Sequence, residues 1–345
     1  MTTTEVDPAL TEMMDAVFAD HAASTPSTPS TAVGLDRQLW HRLDELGLVR
    51  LTGSEDSGGS GAGWHEAAEL LTAAVRHGVR IPLAEHDLLA CWLMAAAGVP
   101  GEAAVRTVGA LDAHGTASGV PWASQAERVV VVWETGDGHA VADVPADHLA
   151  ITNGTNMIGE PRDTVSVDIS ALGGSPLDSA LVSQLRLRSA LVRAIQVCAA
   201  LDQALALCIE HATSREQFGR PLAKFQAIQH LISDIAGEAA LARSATEAAV
   251  SAAAKAEAAD WTGAHVGFLV AAARSCAGHG ASVVVRNAHQ VLGAIGTTRE
   301  HRLHEYTRAA LSWRSEFGSV RSWDEQVADM AAAAGGGGLW ALICP

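Results

Sequence analysis

Positive charge and aromatic side chains are both scarce in this 345-residue sequence: 23 Lys and Arg stand against 39 Asp and Glu, and 4% of residues are aromatic. The formal net charge of −16 sets up a long-range field that repels phosphate backbones and anionic lipid, so no nucleic-acid partner is expected. Long apolar runs are lacking too. No stretch of about 18 residues is free of charge, glycine or amphipathic pattern, so no membrane span is expected. Met1 to Pro8 carries two acids and no apolar run, unlike a signal peptide. The five cysteines (Cys91, Cys198, Cys208, Cys276, Cys344) are odd in number, widely spaced and mostly set in apolar helical sequence. They read as reduced packing residues of a cytoplasmic protein, with no metal role.

Alanine is abundant within a hydrophobic fraction of 48%. Ala has the best intrinsic helix propensity, and its small side chain lets helix axes approach closely, so a helical bundle is expected. Asp7-Pro8 is a helix start, and Ser24 to Ser30 reads as a loop. Leu35, Leu39, Leu43 and Leu46 recur at helical spacing, and further helices are expected over 64–78, 84–97 and 101–110. The Gly-rich run 57–63 lacks the preceding strand and the glycine order of a dinucleotide fingerprint, so it reads as a connector. Between about 116 and 170 the period changes. Arg128 to Glu134 is a β-branched run, Gly136-Asp137-Gly138 a turn, Ala140 to Val144 a returning strand, and Val165 to Ile169 alternates as a strand does. From about 178 to 316 helical periodicity returns as four segments: 178–213, one after Pro221, 260–290 and 298–316. Ala331 to Gly338 reads as a mobile low-complexity tail. The fold class is mainly α with a small β insert, divided as 1–115, 116–175, 176–325 and 326–345.

Two segments carry chemistry. Arg215-Glu216-Gln217-Phe218-Gly219-Arg220-Pro221-Leu222-Ala223-Lys224-Phe225-Gln226 joins two helices and offers a guanidinium, amides, an aromatic ring and a glycine. Such a set suits a pyrophosphate and nucleotide, or else Arg215 simply caps helix-end carbonyls in an αα-hairpin. In Gln290-Val291-Leu292-Gly293-Ala294-Ile295-Gly296-Thr297-Thr298-Arg299-Glu300-His301-Arg302-Leu303-His304, a helix runs into glycines and another restarts. The glycines permit a tight turn and the close approach of a backbone or flat ring, or serve as a plain helix stop. His301 and His304 lack the further ligands a metal site needs.

Together these segments resemble the C-terminal signatures of acyl-CoA dehydrogenases: Arg-x-Gln-Phe-Gly followed by Phe-Gln, then Gln-x-x-Gly-x-x-Gly-x-Thr-x-Glu-His-x-Leu-His. The stretch Leu39-Trp40 to Leu51, Ile81-Pro82-Leu83-Ala84-Glu85, and Asn156 to Asp163 are similar to other parts of the family, so most of 35–320 is covered. The resemblance implies an N-terminal helical domain, a reduced β domain and a C-terminal four-helix bundle. It implies FAD lying across a subunit interface, with Arg215 on the pyrophosphate and Gln217, Phe218 and Gln226 on the same dinucleotide. Gln290, Val291, Gly293 and Ala294 would lie near the adenine, Ala294 standing where the family usually has a second Gly.

Departures from the family pattern shape the expectation further. The Thr-Glu-Pro, Gly-Ser-Asp type run that lines flavin and substrate is missing between 111 and 175. At the two positions the family uses for its catalytic Glu, this chain has Phe317 and Ser189, with Glu316 one residue off. The resemblance is therefore to the base-lacking subunit of heterotetrameric (α2β2) dehydrogenases associated with steroid side-chain degradation. It implies no catalytic residue here, a second dehydrogenase-like subunit as partner, an acyl-CoA substrate and an acceptor such as an electron-transfer flavoprotein. A self-sufficient homotetramer using Glu316 and a flavin-free structural partner are the alternatives.

Overall fold

A computed structural model describes residues 6–24, 32–256, 261 and 263–344. The loop expected over 24–30 falls, apart from Ser24, outside them. The chain divides into two compact units: a mixed unit of Val6–Leu71 and Arg80–Arg188, and a helical unit of Thr72–Val79 and Ser189 onward.

The mixed unit begins with α1 (Pro8–Ser24), where Asp7 accepts the Ala9 amide, and α2 (Arg37–Glu45), capped by Asp36 on the Gln38 and Leu39 amides. The Gly-rich connector folds back on itself, and a Cβ on Gly59 would come within 2.1 Å of the Gly53 carbonyl oxygen. After α3 (Trp64–Arg76), the apolar run that reads as one helix is a π-helical stretch, Ala84–Cys91, followed by the short α4 (Trp92–Ala96).

Several sheet features were not in the sequence pattern. The helix expected over 101–110 is replaced by β1 (Arg106–Ala110), which pairs in parallel with β3 (Arg128–Thr135). Its Val and Thr side chains are buried, and long-range ladder bonds override local propensity. Between them β2 (Thr116–Pro121) belongs to another sheet. β3 turns antiparallel into β4 (Gly138–Pro145), as the β-branched run implies. β5 (Ala150–Thr152) and β2 flank β6 (Arg162–Ser166), and β7 (Ser175–Leu177) closes the four-stranded sheet β1-β3-β4-β7. The strand expected over 165–169 thus lies a few residues earlier, because the Asp168 side chain accepts the Ser170 amide and starts a helical turn at Ile169. The β core packs Val129, Val131, Trp133, Ala142, Val144 and Val165 between the sheets.

The helical unit holds most of α5 (Ser179–Ser214), then a two-residue hairpin of β8 (Glu216–Gln217) and β9 (Arg220–Pro221). It continues with α6 (Gln226–Ala256), α7 (Ala264–Leu292), α8 (Leu303–Trp313) and α9 (Val320–Ile343). α7 is the central element, packed on α6, α8 and α9. The expected tail from 331 onward is helical. α9 runs through it with a break at Gly335, buries Leu342 and brings the Leu342 carbonyl 2.8 Å from His265 Nδ1. Ser179–Ser214 and Ala264–Thr297 are long and apolar enough to cross a membrane by length and composition, yet 61% and 56% of their most apolar windows are buried inside the protein. They are core helices. Cys91, Cys198 and Cys208 are buried, and all five cysteines are free.

Candidate functional site

The connector after α5 is a tight antiparallel hairpin in which Glu216 faces Pro221 and Gln217 faces Arg220. Its two central residues, Phe218 and Gly219, have φ of 54° and 76°. A two-residue hairpin of this primed kind suits strand twist and asks for positive φ at both positions, which Gly meets freely and Phe does not. Phe218 is nevertheless at the tip and 90% exposed. The Leu222 amide donates to the Arg215 carbonyl and closes the loop.

The side chains around this hairpin brace one another. Arg220 lies 4.1 Å from the centroid of the Phe225 ring, and Phe218 meets the same ring edge-on at 6.1 Å. With its oxygen turned toward Arg215, the Gln217 amide accepts from Arg215 Nε at 3.3 Å and Nη2 at 2.9 Å. Arg215, Gln217 and Gln226 are all exposed, and Gln226 opens α6. The hairpin therefore presents a guanidinium, two amides and an aromatic ring beside a helix N-terminus. That donor set suits an anionic dinucleotide.

At the second segment, α7 ends on Gly293 with φ 62° and ψ −139°, a conformation that L side chains avoid. Gln290, Gly293 and Ala294 are exposed, whereas Val291 is 3% exposed and packs into the helical core. From Val291 only backbone atoms could therefore face a ligand. Both segments lie in the helical unit, and their flanks meet: His211, one turn before Arg215, stands edge-on to His301 with ring centroids 6.2 Å apart. Burial, then the neighbouring His301 and Arg215, hold His211 below its ordinary pKa. His304 Nδ1 lies 2.8 Å from the His301 carbonyl and donates to it. Among the described residues no group of His, Cys, Asp or Glu is arranged to hold a metal ion.

The mixed unit offers nothing comparable at the place where a flavin-lining run would be sought. The β1 to β2 connection is closed on itself, with Asp112 Oδ1 accepting the His114 and Thr116 amides at 2.8 and 3.0 Å. A nearby cleft of about 270 Å³, lined by Leu111, Asp112, Trp133, Glu134, His139 and Val182, carries acids that repel phosphate. Ser189 is 4% exposed within α5, and the Glu316 carboxylate is held by Arg193 at 2.8 Å. Neither stands as a free base.

Several structural features escaped the sequence pattern. Trp122 is buried with φ 58°, and the fully buried Asp163 accepts the Ser124 and Gly154 amides. The π-helical stretch buries Glu85, His86 and Asp87 together. Arg193 and Arg274 are each 1% exposed. Each of these last two stands among mostly apolar neighbours, in a helix that carries other charges as well.

Residues 184–331 match the family described as acyl-CoA dehydrogenase, C-terminal domain. The chain is 28% identical over 322 residues to the acyl-CoA dehydrogenase IpdE2 of Mycobacterium tuberculosis (strain ATCC 25618 / H37Rv), covering 90% of this chain and 92% of that protein. The chain has the acyl-CoA dehydrogenase fold, and its segment 184–331 matches that family's C-terminal domain. Against the acyl-CoA dehydrogenase FadE34 of the same strain, the identity is 33% over 125 residues, which is 36% of this chain and 17% of that protein. The fold matches a chain of the ChsE4-ChsE5 complex from Mycobacterium tuberculosis with a TM-score of 0.80 at 23% identity, covering 96% of this chain and 98% of that one. It matches a variant of the Tcur3481-Tcur3483 steroid ACAD equally well, with a TM-score of 0.80 at 22% identity over 94% and 97% of the two chains. Members of the acyl-CoA dehydrogenase family are FAD-dependent dehydrogenases, acting as oxidoreductases on CH-CH bonds.

Proposed function

We propose that this chain is one subunit of an FAD-dependent acyl-CoA dehydrogenase that introduces an α,β double bond into a CoA thioester. In this reading it contributes Arg215, Gln217, Phe218 and Gln226, with Gln290, Gly293, Ala294 and the Val291 backbone, to the ADP half of an FAD held by a second, dehydrogenase-like subunit. The assembly is an α2β2 heterotetramer, the partner supplies the catalytic Glu, and an electron-transfer flavoprotein or similar acceptor takes the electrons. Bound FAD supplies the hydride acceptor, and this chain's residues bind and orient it.

The observation that carries this reading is the outward-facing hairpin, with Phe218 held at positive φ and 90% exposed, in a chain whose own β1 to β2 connection is closed. A strained, exposed aromatic is retained where it does something outside its own unit. The two-chain assembly is supported by similarity to the ChsE4-ChsE5 complex, and a bulky polycyclic acyl group by similarity to a protein described as a steroid ACAD. The three-part division at 115/116 and 175/176 belongs to the same proposal, and a cytoplasmic location is its natural setting.

The test is Arg215→Ala in the chain co-expressed with its genetic neighbour. Removing one side of a desolvated charge-assisted pair costs about 2 to 5 kcal/mol, so FAD should leave on purification while the helices stay folded. Arg215→Lys should recover part of the binding, since the ammonium lacks the planar fork. Normal flavin-to-protein ratio in Arg215→Ala would leave only a helix-end cap, worth about 1 kcal/mol of stability. A co-purified complex that contains no flavin at all would instead favour a purely structural partner.

A further inference from the structure

Downstream of α8 the chain makes a turn through Arg314, Ser315, Glu316, Phe317 and Gly318, close to where the family places its base. Three carbonyls of this turn converge on one nitrogen. Arg274 Nη2, from α7, donates to the carbonyls of Arg314, Glu316 and Gly318 at 3.0, 2.8 and 3.2 Å. Arg274 is 1% exposed, and its Nε and Nη1 meet no acceptor among the described residues. Burial and then the nearby Arg193 lower its pKa to about 10, which still leaves it charged near neutrality.

The side chains of the turn face the second arginine. Arg193, from α5 and also 1% exposed, donates from Nε to Glu316 Oε2 at 2.8 Å and from Nη1 to Gln196 Oε1 at 2.6 Å. Its guanidinium lies 5.0 Å from the centroid of the Phe317 ring, and Phe317 itself sits at φ 55°. A buried guanidinium cannot shed its proton, so it needs a counter-charge nearby. Glu316, with a side chain 16% exposed, is the carboxylate paired with it. Protonating Glu316 would remove the charge from that pair.

We propose that Arg193 and Arg274 form a brace that holds the 314–318 turn in one conformation and keeps the Glu316 carboxylate as an ion-pair partner, withdrawn from proton abstraction. The proposal rests on the reading that the other subunit provides the catalytic Glu, and it identifies what occupies the corresponding place in this chain. Arg274 fixes the backbone through three carbonyls, and Arg193 fixes the carboxylate and the Phe317 ring. Both are positioning residues.

The experiment compares carbodiimide and glycinamide labelling of Glu316, read by mass spectrometry, with turnover of the assembled complex. Wild type, Arg193→Met, Arg193→Lys and Glu316→Gln are used. Glu316 should be protected in wild type and should label about tenfold faster or more in Arg193→Met, with Arg193→Lys between them because it keeps the charge without the fork. If Arg193→Met does not fold, Arg193→Lys against wild type carries the comparison. Glu316→Gln should leave turnover unchanged. Equal labelling in wild type and the Arg193 variants overturns the brace even if turnover still depends on the partner. Loss of turnover in a folded, flavin-replete Glu316→Gln complex overturns the brace and the assignment of the base to the partner together.

Discussion

In the mixed unit, Arg106, Asp143, Glu160 and Asp163 have buried side chains bonded to one another's elements or to backbone, whereas at the hairpin end of the helical unit Arg215, Gln217, Phe218 and Gln226 all face outward. Arg106 and Arg128 both donate to Asp143, tying β1, β3 and β4 together. Arg162 pairs with Glu160 at 2.8 Å. Polar chemistry in one unit is consumed by its own architecture. In the other it is left available, at the cost of a Phe in the left-handed region. The contrast teaches that an exposed polar group and a buried one answer different questions: the first bears on binding, the second on folding.

The sharpest way to break this comparison is Asp163→Ala. It strips the acceptor from two amides, of Ser124 at 2.7 Å and Gly154 at 3.1 Å, around a fully buried carboxylate. Each unsatisfied buried donor costs about 1 to 3 kcal/mol, so a loss of roughly 2 to 5 kcal/mol should appear in the denaturant midpoint. A change within experimental noise would mean that the buried groups of the mixed unit are not structural.

Asp87→Asn tests the same unit in the opposite direction. Burial raises the Asp87 pKa from 3.8 to about 6, against hydrogen bonds from Thr52 that lower it. Because the folded value lies above the unfolded one, this group favours folding below pH 3.8 and loses that contribution as pH rises through about 6. Ionised Asp87 then opposes folding by up to roughly 3 kcal/mol. Asn, with an oxygen for the Thr52 amide, should stabilise the protein more at pH 8 than at pH 4. His86 beside it titrates with the opposite sign. Burial, then Arg106 and Arg50, push its pKa down from 6.5 to about 3, so its contribution is present above 6.5 and fades on acidification. It is common to both proteins and cancels. Equal effects at the two pH values would show that Asp87 is not desolvated.

The smallest expected effect belongs to Phe218→Gly, which sharpens the comparison from the exposed side. Gly accepts the left-handed backbone freely, so stability should hold or rise by about 1 kcal/mol while FAD occupancy of the complex falls. Destabilisation with unchanged flavin would make Phe218 a folding residue.

The helices of the helical unit were legible because 3.6-residue periodicity survives in single segments, and the hairpin of β3 and β4 because Val129 to Val132 is β-branched throughout. The strand at Arg106–Ala110 was not, since its partner at Arg128–Val132 lies across a connection that belongs to another sheet. The helix through Gly336, Gly337 and Gly338 was hidden as well, because propensity argues against it and packing on α7 supports it. At the candidate site, Arg215 to Gln226 stood out by composition alone. The pairing of Arg193 with Glu316 did not, the two being 123 residues apart and brought together by the fold.

The interleaving of β2 between β1 and β3 also bears on how the chain acquires its structure. Thr116 pairs with Ser166, and Val141 pairs with Ser175, so neither sheet of the mixed unit is complete until the chain has passed those partners. Helical segments such as α5 need only near neighbours. Pairings of such sequence separation close slowly compared with helical turns. On the ribosome, β2 would wait with an open edge for β6 and β4 for β7, and the time those edges stay exposed would set how far this chain depends on chaperones.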